Sequence, residues 1–358
     1  MSPTETMNNS LLPRSIEYPQ IAPLTEEFPR PLWSVMIPTY NRSDYLKEAL
    51  ESVLEQDLGI EQMQIEVIDN CSVESDVTAI VDKVGQGRIS VYQQPYHVGM
   101  NDNWNTCINR ARGHYVHILH DDDLVRPGFY KHLQVAFEQE VNVGAAFCRS
   151  IFIDEDSHWQ SIPTLEEKTA GILPNYLERI AVVSFIYTPA IAVRRVAYEK
   201  LGGFCAEAGS ATDWEMWKRI AANYSIWYEP QPLVCYRIHT VSESSKLFKT
   251  GKNIADIRCA IQISQAYLPK SIAVDLTNKA RNFYARTAIN AARQRLSVGE
   301  VDTAMAQIRE ALKFSMNLKI IVLVIDTFVW TITDRTSRIF RKTVKNSLDL
   351  LTRDPLIR

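Results

Sequence analysis

From Trp33 onward, short apolar runs alternate with amphipathic stretches. "WSVMIPTY" predicts a strand ending at Pro38, and in "SDYLKEALESVLEQ" Leu46, Leu50, Val53 and Leu54 share one helical face. "MQIEVIDN" predicts a second strand and "RISVYQQP" a third. In "NDNWNTCINRARG" Trp104, Cys107, Ile108 and Ala111 form the next helical stripe, with Gly113 placed to cap it. A strand over 114–120 follows, then a helix opened by Pro127 that carries Phe129, Leu133, Ala136 and Phe137, then the strand "VGAAFCR". Strands alternating with helices of this length predict an α/β fold with a mostly parallel sheet flanked by helices. Ligands of such sheets bind beyond the carboxyl ends of the strands. Polar residues gather there: Thr39-Tyr40-Asn41-Arg42, Asp69-Asn70, and His120 with Asp121, Asp122 and Asp123.

The two ends of the chain read differently. Residues 1–30 hold five prolines and no sustained period, so they predict an extended arm before an α/β domain over 31–246. A helical region over 247–358 follows, with two helices joined near Gly299 like a single helical-repeat hairpin. The most apolar stretch, Ile320 to Ile332, is too short to span a bilayer and carries Asp326. It predicts a buried helix. The alternative is a membrane-surface helix, supported by Arg335, Arg338, Arg341, Lys342 and Lys345 downstream. A net charge of −3 argues against a nucleic-acid partner. Six scattered cysteines without a CxxC pair, and an N-terminus without an apolar core, predict reduced thiols in a cytoplasmic protein, with peripheral contact at the inner membrane face left open.

Three adjacent aspartates repel one another, and a divalent cation is the simplest counter-charge. Oxygen ligands suit magnesium or manganese, bound through one or two carboxylates plus substrate phosphates. The alternative is a solvated turn that caps the next helix. Neither GxGxxG nor GxxxxGK[ST] occurs, which counts against a dinucleotide dehydrogenase and a P-loop enzyme.

The motifs "SVMIPTYNR", "IEVIDNCS", "HVGMNDNWNTCINRARGHYVHILHDDDLVRPG", "LGGF" and "TDWEMWKRI" occur in the order found in family 2 inverting glycosyltransferases, which the chain resembles over about residues 32 to 245. The resemblance implies a GT-A fold: a Rossmann-like nucleotide-sugar domain. It implies a nucleoside-diphosphate-sugar donor, with UDP or dTDP favoured because Asp69 matches an acid that accepts a hydrogen bond from the base. Pro38, Thr39 and Tyr40 resemble the base-packing loop, with Tyr40 stacking and Arg42 nearby. Asn101 and Asn105 fall in the Gly/Asn-containing segment before the metal strand. The family string is Asp-x-Asp-Asp; here it is His120-Asp121-Asp122-Asp123. Alignment makes Asp122 the metal ligand and Asp121 a ribose or metal-shell contact, whereas a plain Asp-x-Asp reading selects Asp121 and Asp123. His239, in "CYRIHTVSESS", matches a histidine that completes the metal or diphosphate site.

Asp213 matches the base that deprotonates the acceptor, although Thr212 replaces the usual preceding Glu; a helix N-cap is the alternative role. Trp214, Trp217, Tyr187 and Trp227 read as core or as an acceptor platform, and "TPAIAVRR" as the opposite wall. The acceptor is left open among a glycan, a lipid-linked sugar and a protein. The C-terminal helices are left open among membrane contact, oligomer formation and buttressing of the sheet. A non-catalytic nucleotide-sugar-binding relative and a metal-dependent nucleotidyltransferase are the alternative functions.

Overall fold

The structure is a computed structural model that describes residues 16–25, 30–239, 242–315, 317–331 and 333. The chain runs β1 (Trp33–Thr39), α1 (Leu46–Leu54), β2 (Met63–Asp69), α2 (Val77–Gly85), β3 (Ser90–Gln93), α3 (Met100–Arg110) and β4 (Tyr115–Ile118). Then come β5 (Leu124–Val125), α4 (Phe129–Gln139), β6 (Val143–Ile153), β7 (Trp159–Ser161), β8 (Gly171–Ile172), α5 (Tyr176–Ile180), β9 (Ile191–Arg194) and α6 (Arg195–Leu201). Next come α7 (Thr212–Ala221), β10 (Ser225–Arg237), α8 (Glu243–Thr250), α9 (Lys252–Ser264), α10 (Lys270–Ser297) and α11 (Val301–Phe314), with a further helical stretch over 318–331.

The strands form one sheet in the order β3-β2-β1-β4-β9-β6-β10-β5, with β7 on β6 and β8 on β10. Strands β3, β2, β1 and β4 are parallel, as are β6 and β10. Strand β9, formed from "IAVR", runs antiparallel between β4 and β6. It is therefore a mostly buried strand of the sheet, and Thr188 in the preceding turn contacts Asp213. The fold is a GT-A-like α/β sheet flanked by helices.

Strands β1 and β2 are buried along their whole length, as central parallel strands covered on both faces must be. Helix α1 buries Leu46, Ala49, Leu50 and Val53 at helical spacing, each contributing about 1.5–3 kcal/mol if large and aliphatic. The polar residues of β1 and β2 pair: Ser34 donates to Gln64 at 2.6 Å, and Gln64 donates to Glu66 at 2.8 Å. Gly113 is not the cap of α3, which ends at Ala111 in extended conformation. Its role is close approach: a Cβ there would stand 2.6 Å from the Ser34 nitrogen, while the Gly113 N–H donates to Ser34 at 2.7 Å. Trp214, Trp217 and Trp227 are core residues, at most 8% exposed.

Two compact units divide the chain, one of residues 1–240 with 259–274, the other of 241–258 with 275–358. In the first, part of the N-terminal arm is tied down. Gly203 donates to the Pro19 carbonyl at 2.7 Å, Arg219 stacks over Tyr18 at 3.8 Å, and Ile21 is 2% exposed. In the second, α10 and α11 form the expected hairpin around Gly299, at φ +88°, and Ala292, Leu296, Ala304 and Ile308 pack between them. The apolar stretch from Ile320 is helical, but only one face is buried: Ile320 and Thr327 are covered, whereas Val322, Ile325 and Val329 are more than half exposed. Ile332 and the basic residues from Arg335 to Lys345 lie outside the described residues. Among the described residues no helix is long and apolar enough to cross a membrane.

Candidate active site at the strand ends

Parallel pairing aligns the ends of β1 and β2, with Thr39 opposite Asp69. The acidic string leaves the sheet just after β4, the other neighbour of β1. Thr39 donates its hydroxyl to Asp121 Oδ2 at 2.6 Å. Asp122 Oδ2 lies 2.9 Å from Arg42 and 3.0 Å from His239 Nε2. Asp123 Oδ1 accepts the Arg237 N–H at 2.8 Å, and Oδ2 lies 3.3 Å from His120 Nδ1. The three carboxylates are thus each tied to a different set of partners: Thr39 for Asp121, Arg42 and His239 for Asp122, and Arg237 and His120 for Asp123.

Arg42, just after Tyr40, turns into the acid cluster, 3.6 Å from Asp121 and 2.9 Å from Asp122, where buried carboxylates need a counter-charge. Burial pushes Asp121 up to about 7, with Asp122 adding to the shift. Burial and then Asp122 push Asp123 up to about 6, against the pull of His120. Asp122 is desolvated too, but the His239 hydrogen bond and the charges of His120 and Arg42 hold it below the usual carboxylate range.

An exposed aromatic pair follows Thr39 at the end of β1. Tyr40 is 45% exposed, and its ring packs on His97 with centroids 4.1 Å apart. Asn70 holds the His97 loop by accepting from the Val98 N–H at 2.8 Å and donating to its carbonyl at 2.7 Å. His97 opens the "HVGMNDNW" motif, but nothing local in that motif says that its loop returns to Tyr40. Asp69 is buried, accepting from the Ser72 hydroxyl at 2.5 Å and from Gln93 at 2.9 Å. Pro38 is buried within β1.

The two asparagines are used differently from each other. Asn105 accepts from the Phe204 N–H at 2.7 Å and donates to its carbonyl at 3.0 Å, so its amide is committed to the "LGGF" turn. Asn101 donates to the Gly209 carbonyl at 3.3 Å, and its Oδ1 is buried without a hydrogen-bond partner.

Asp213 sits in the first turn of α7. It is not the cap, since Ala211 precedes the helix and Thr212 begins it. Its Oδ1 accepts the Trp214 N–H at 2.6 Å, and Thr188 donates to Oδ2 at 3.4 Å. Burial raises its pKa above the ordinary carboxylate range, offset by the Trp214 N–H and by His120. A desolvated carboxylate with few donors is a stronger base than a solvated one. Tyr187 and Tyr236 pack beside it with ring centroids 4.8 Å apart.

For a divalent cation the donor chemistry fits. His120, Asp122 and Asp123 each offer one ligand atom, all within 4.8 Å of one another. Asp123 Oδ2 and His120 Nε2 are buried without hydrogen-bond partners. His239 is outside this trio and meets it through Asp122.

The family model "Glycosyl transferase family 2" matches residues 34–202. A Mycobacterium tuberculosis protein, MT1568, is 27% identical over 238 residues, covering 63% of this chain and 73% of the relative. Among solved structures, S. aureus TarS 1–349 in complex with UDP-GlcNAc superposes with a TM-score of 0.61 at 17% identity, over 82% of this chain and 83% of that one. Mannosyltransferase PcManGT from Pyrobaculum calidifontis, in complex with GDP-Man and Mn2+, superposes at 0.51 and 18% identity, over 85% and 90%.

Proposed function

The chain belongs to glycosyl transferase family 2 through residues 34–202, and from this premise we propose that it moves a sugar from a nucleoside-diphosphate sugar to an acceptor hydroxyl by single displacement with inversion. The observation that carries the reading is convergence. The ends of β1 and β2 and the turn after β4 bring Thr39, Asp69 and the three aspartates to one edge of the sheet, beside the Tyr40–His97 surface.

The nucleotide base stacks on Tyr40, and Asp69 accepts from its imide, which favours UDP or dTDP. TarS was solved with UDP-GlcNAc and PcManGT with GDP-Man and Mn2+, which supports a nucleotide-sugar donor and a divalent ion without choosing the base. Asp122 and Asp123, with His239 steadying Asp122, hold manganese or magnesium, which when bound neutralises the charge developing on the diphosphate. Thr39 and Arg42 hold Asp121 and Asp122 in place. Asp213 takes the proton of the acceptor hydroxyl as its oxygen bonds to the anomeric carbon and the bond to the diphosphate breaks. The acceptor hydroxyl belongs to a glycan, a lipid-linked sugar or a protein.

Calorimetric titration with UDP, dTDP, GDP and ADP, with and without manganese, tests the reading. Binding of one pyrimidine diphosphate only with metal is the expected result. Absence of metal-dependent binding for all four would overturn it.

A further inference from the structure

His120 stands where the resemblance expects an acid, and its surroundings are those of a ligand held ready. Its ring stacks on Trp104, with centroids 5.2 Å apart and planes at 25°, which fixes the plane of the imidazole. Trp104 is itself braced edge-on against Phe204 at 5.1 Å. One ring nitrogen, Nε2, is buried without a hydrogen-bond partner. Asp123 is 1% exposed; the Arg237 N–H occupies Oδ1, while Oδ2 makes no hydrogen bond and faces the other His120 nitrogen, Nδ1, at 3.3 Å. The other carboxylates are more heavily used. Asp121 Oδ2 takes the Thr39 hydroxyl, and Asp122 Oδ2 takes Arg42 and His239. His239 turns its Nε2 to Asp122 and Arg42, each within 3.0 Å.

We propose that His120 is a direct metal ligand, so that with Asp122 and Asp123 it forms a mixed nitrogen–oxygen site that prefers cobalt- and manganese-type ions to magnesium and calcium. The inference rests on the metal-dependent reading above and deepens it. Imidazole suits transition ions, while carboxylate and water sets suit magnesium and calcium. Replacing the family's acid by His120 also removes one negative charge from the ligand set. That lowers the purely electrostatic attraction on which the hard ions depend. The preference therefore resides in one side chain.

Metal alone is the probe, added to the full chain. Manganese uptake is followed by electron paramagnetic resonance, with cobalt, magnesium and calcium as competitors, for the wild type, His120→Asp, His120→Asn and His239→Asn. Circular dichroism checks each fold. The expected result is a cobalt-over-magnesium ratio that falls about tenfold or more in His120→Asp, with 14N modulation in the spin echo of bound manganese lost in both His120 variants and kept in His239→Asn. An unchanged ratio, or 14N modulation that survives at His120→Asp and disappears at His239→Asn, would overturn the assignment while leaving a metal site. Should the wild type take up no manganese, both this assignment and the metal dependence proposed above fall. The nucleotide titration then decides separately whether nucleotide binding survives.

Discussion

Thr39 Oγ1 donates to Asp121 Oδ2 across 2.6 Å, joining residues 82 positions apart at the ends of neighbouring strands. A hydrogen bond to a charged group contributes about 1.5–3 kcal/mol, which applies above the raised Asp121 value of about 7, where the carboxylate is ionised. Thr39→Val is expected to lower urea-unfolding stability by about that amount, and Thr39→Ser to retain most of it. Equal midpoints for the two variants would show that the bond contributes nothing.

Tyr40 presents nearly half its surface to solvent above His97. Stacking of a base on an aromatic ring is worth about 1–3 kcal/mol, so Tyr40→Ala should weaken nucleotide binding roughly fivefold to 150-fold. Tyr40→Phe should bind nearly as wild type, since the ring face is what matters. Calorimetry with the nucleoside diphosphate reads both.

Asp213→Asn should cut transfer by roughly a hundredfold to ten-thousandfold while leaving nucleotide affinity intact. A base works when deprotonated, and burial raises this one above the ordinary carboxylate range. Activity should therefore rise with pH through that raised value, and the acid limb of the rate profile should disappear with the side chain. An acid limb that survives in Asp213→Asn would assign the base elsewhere.

Lys218 is fully buried, donating to the Ala260 carbonyl at 2.9 Å and to Ser264 Oγ at 3.2 Å, over the Trp214 ring. Burial drives its pKa from 10.5 down to about 7, against the pull of Glu215. Between those two values the unfolded chain binds the proton that the folded chain releases, so this group makes stability rise with pH across that window. Below pH about 7 both states hold the proton, and the full cost of burying the charge remains. Lys218→Met should be more stable than wild type near pH 7, and the gap should shrink toward pH 10. A gap constant with pH would show that Lys218 keeps an ordinary pKa in the fold.

Gly203 lies where a Cβ would come within 2.3 Å of Asn105 Oδ1. That oxygen cannot move cheaply, because it accepts the Phe204 N–H. Gly203→Ala should therefore destabilise the protein by about 1–3 kcal/mol, read as a lower melting temperature. Ala at the open position Gly99 is the control, where nothing lies within 4 Å.

The alternation of apolar strands and amphipathic helices, and the polar clusters at the strand ends, were legible along the chain. Both are local signals: a strand or helix face is set by neighbours within a few residues, and "HILHDDD" marks its own strand end. On those signals alone, Thr39, Asp69 and Asp121 to Asp123 belong at one edge of the sheet. Everything that depends on chain closure was decided by the tertiary structure. It inserted β9 antiparallel into the sheet, returned His97 to Tyr40, set Arg42 against Asp122, and committed Asn105 to the Phe204 turn. It also set His120 against Trp104 and beside Asp123. These contacts join residues whose spacing carries no period, and they are chosen by which buried charge or polar group most needs a partner once the sheet has closed.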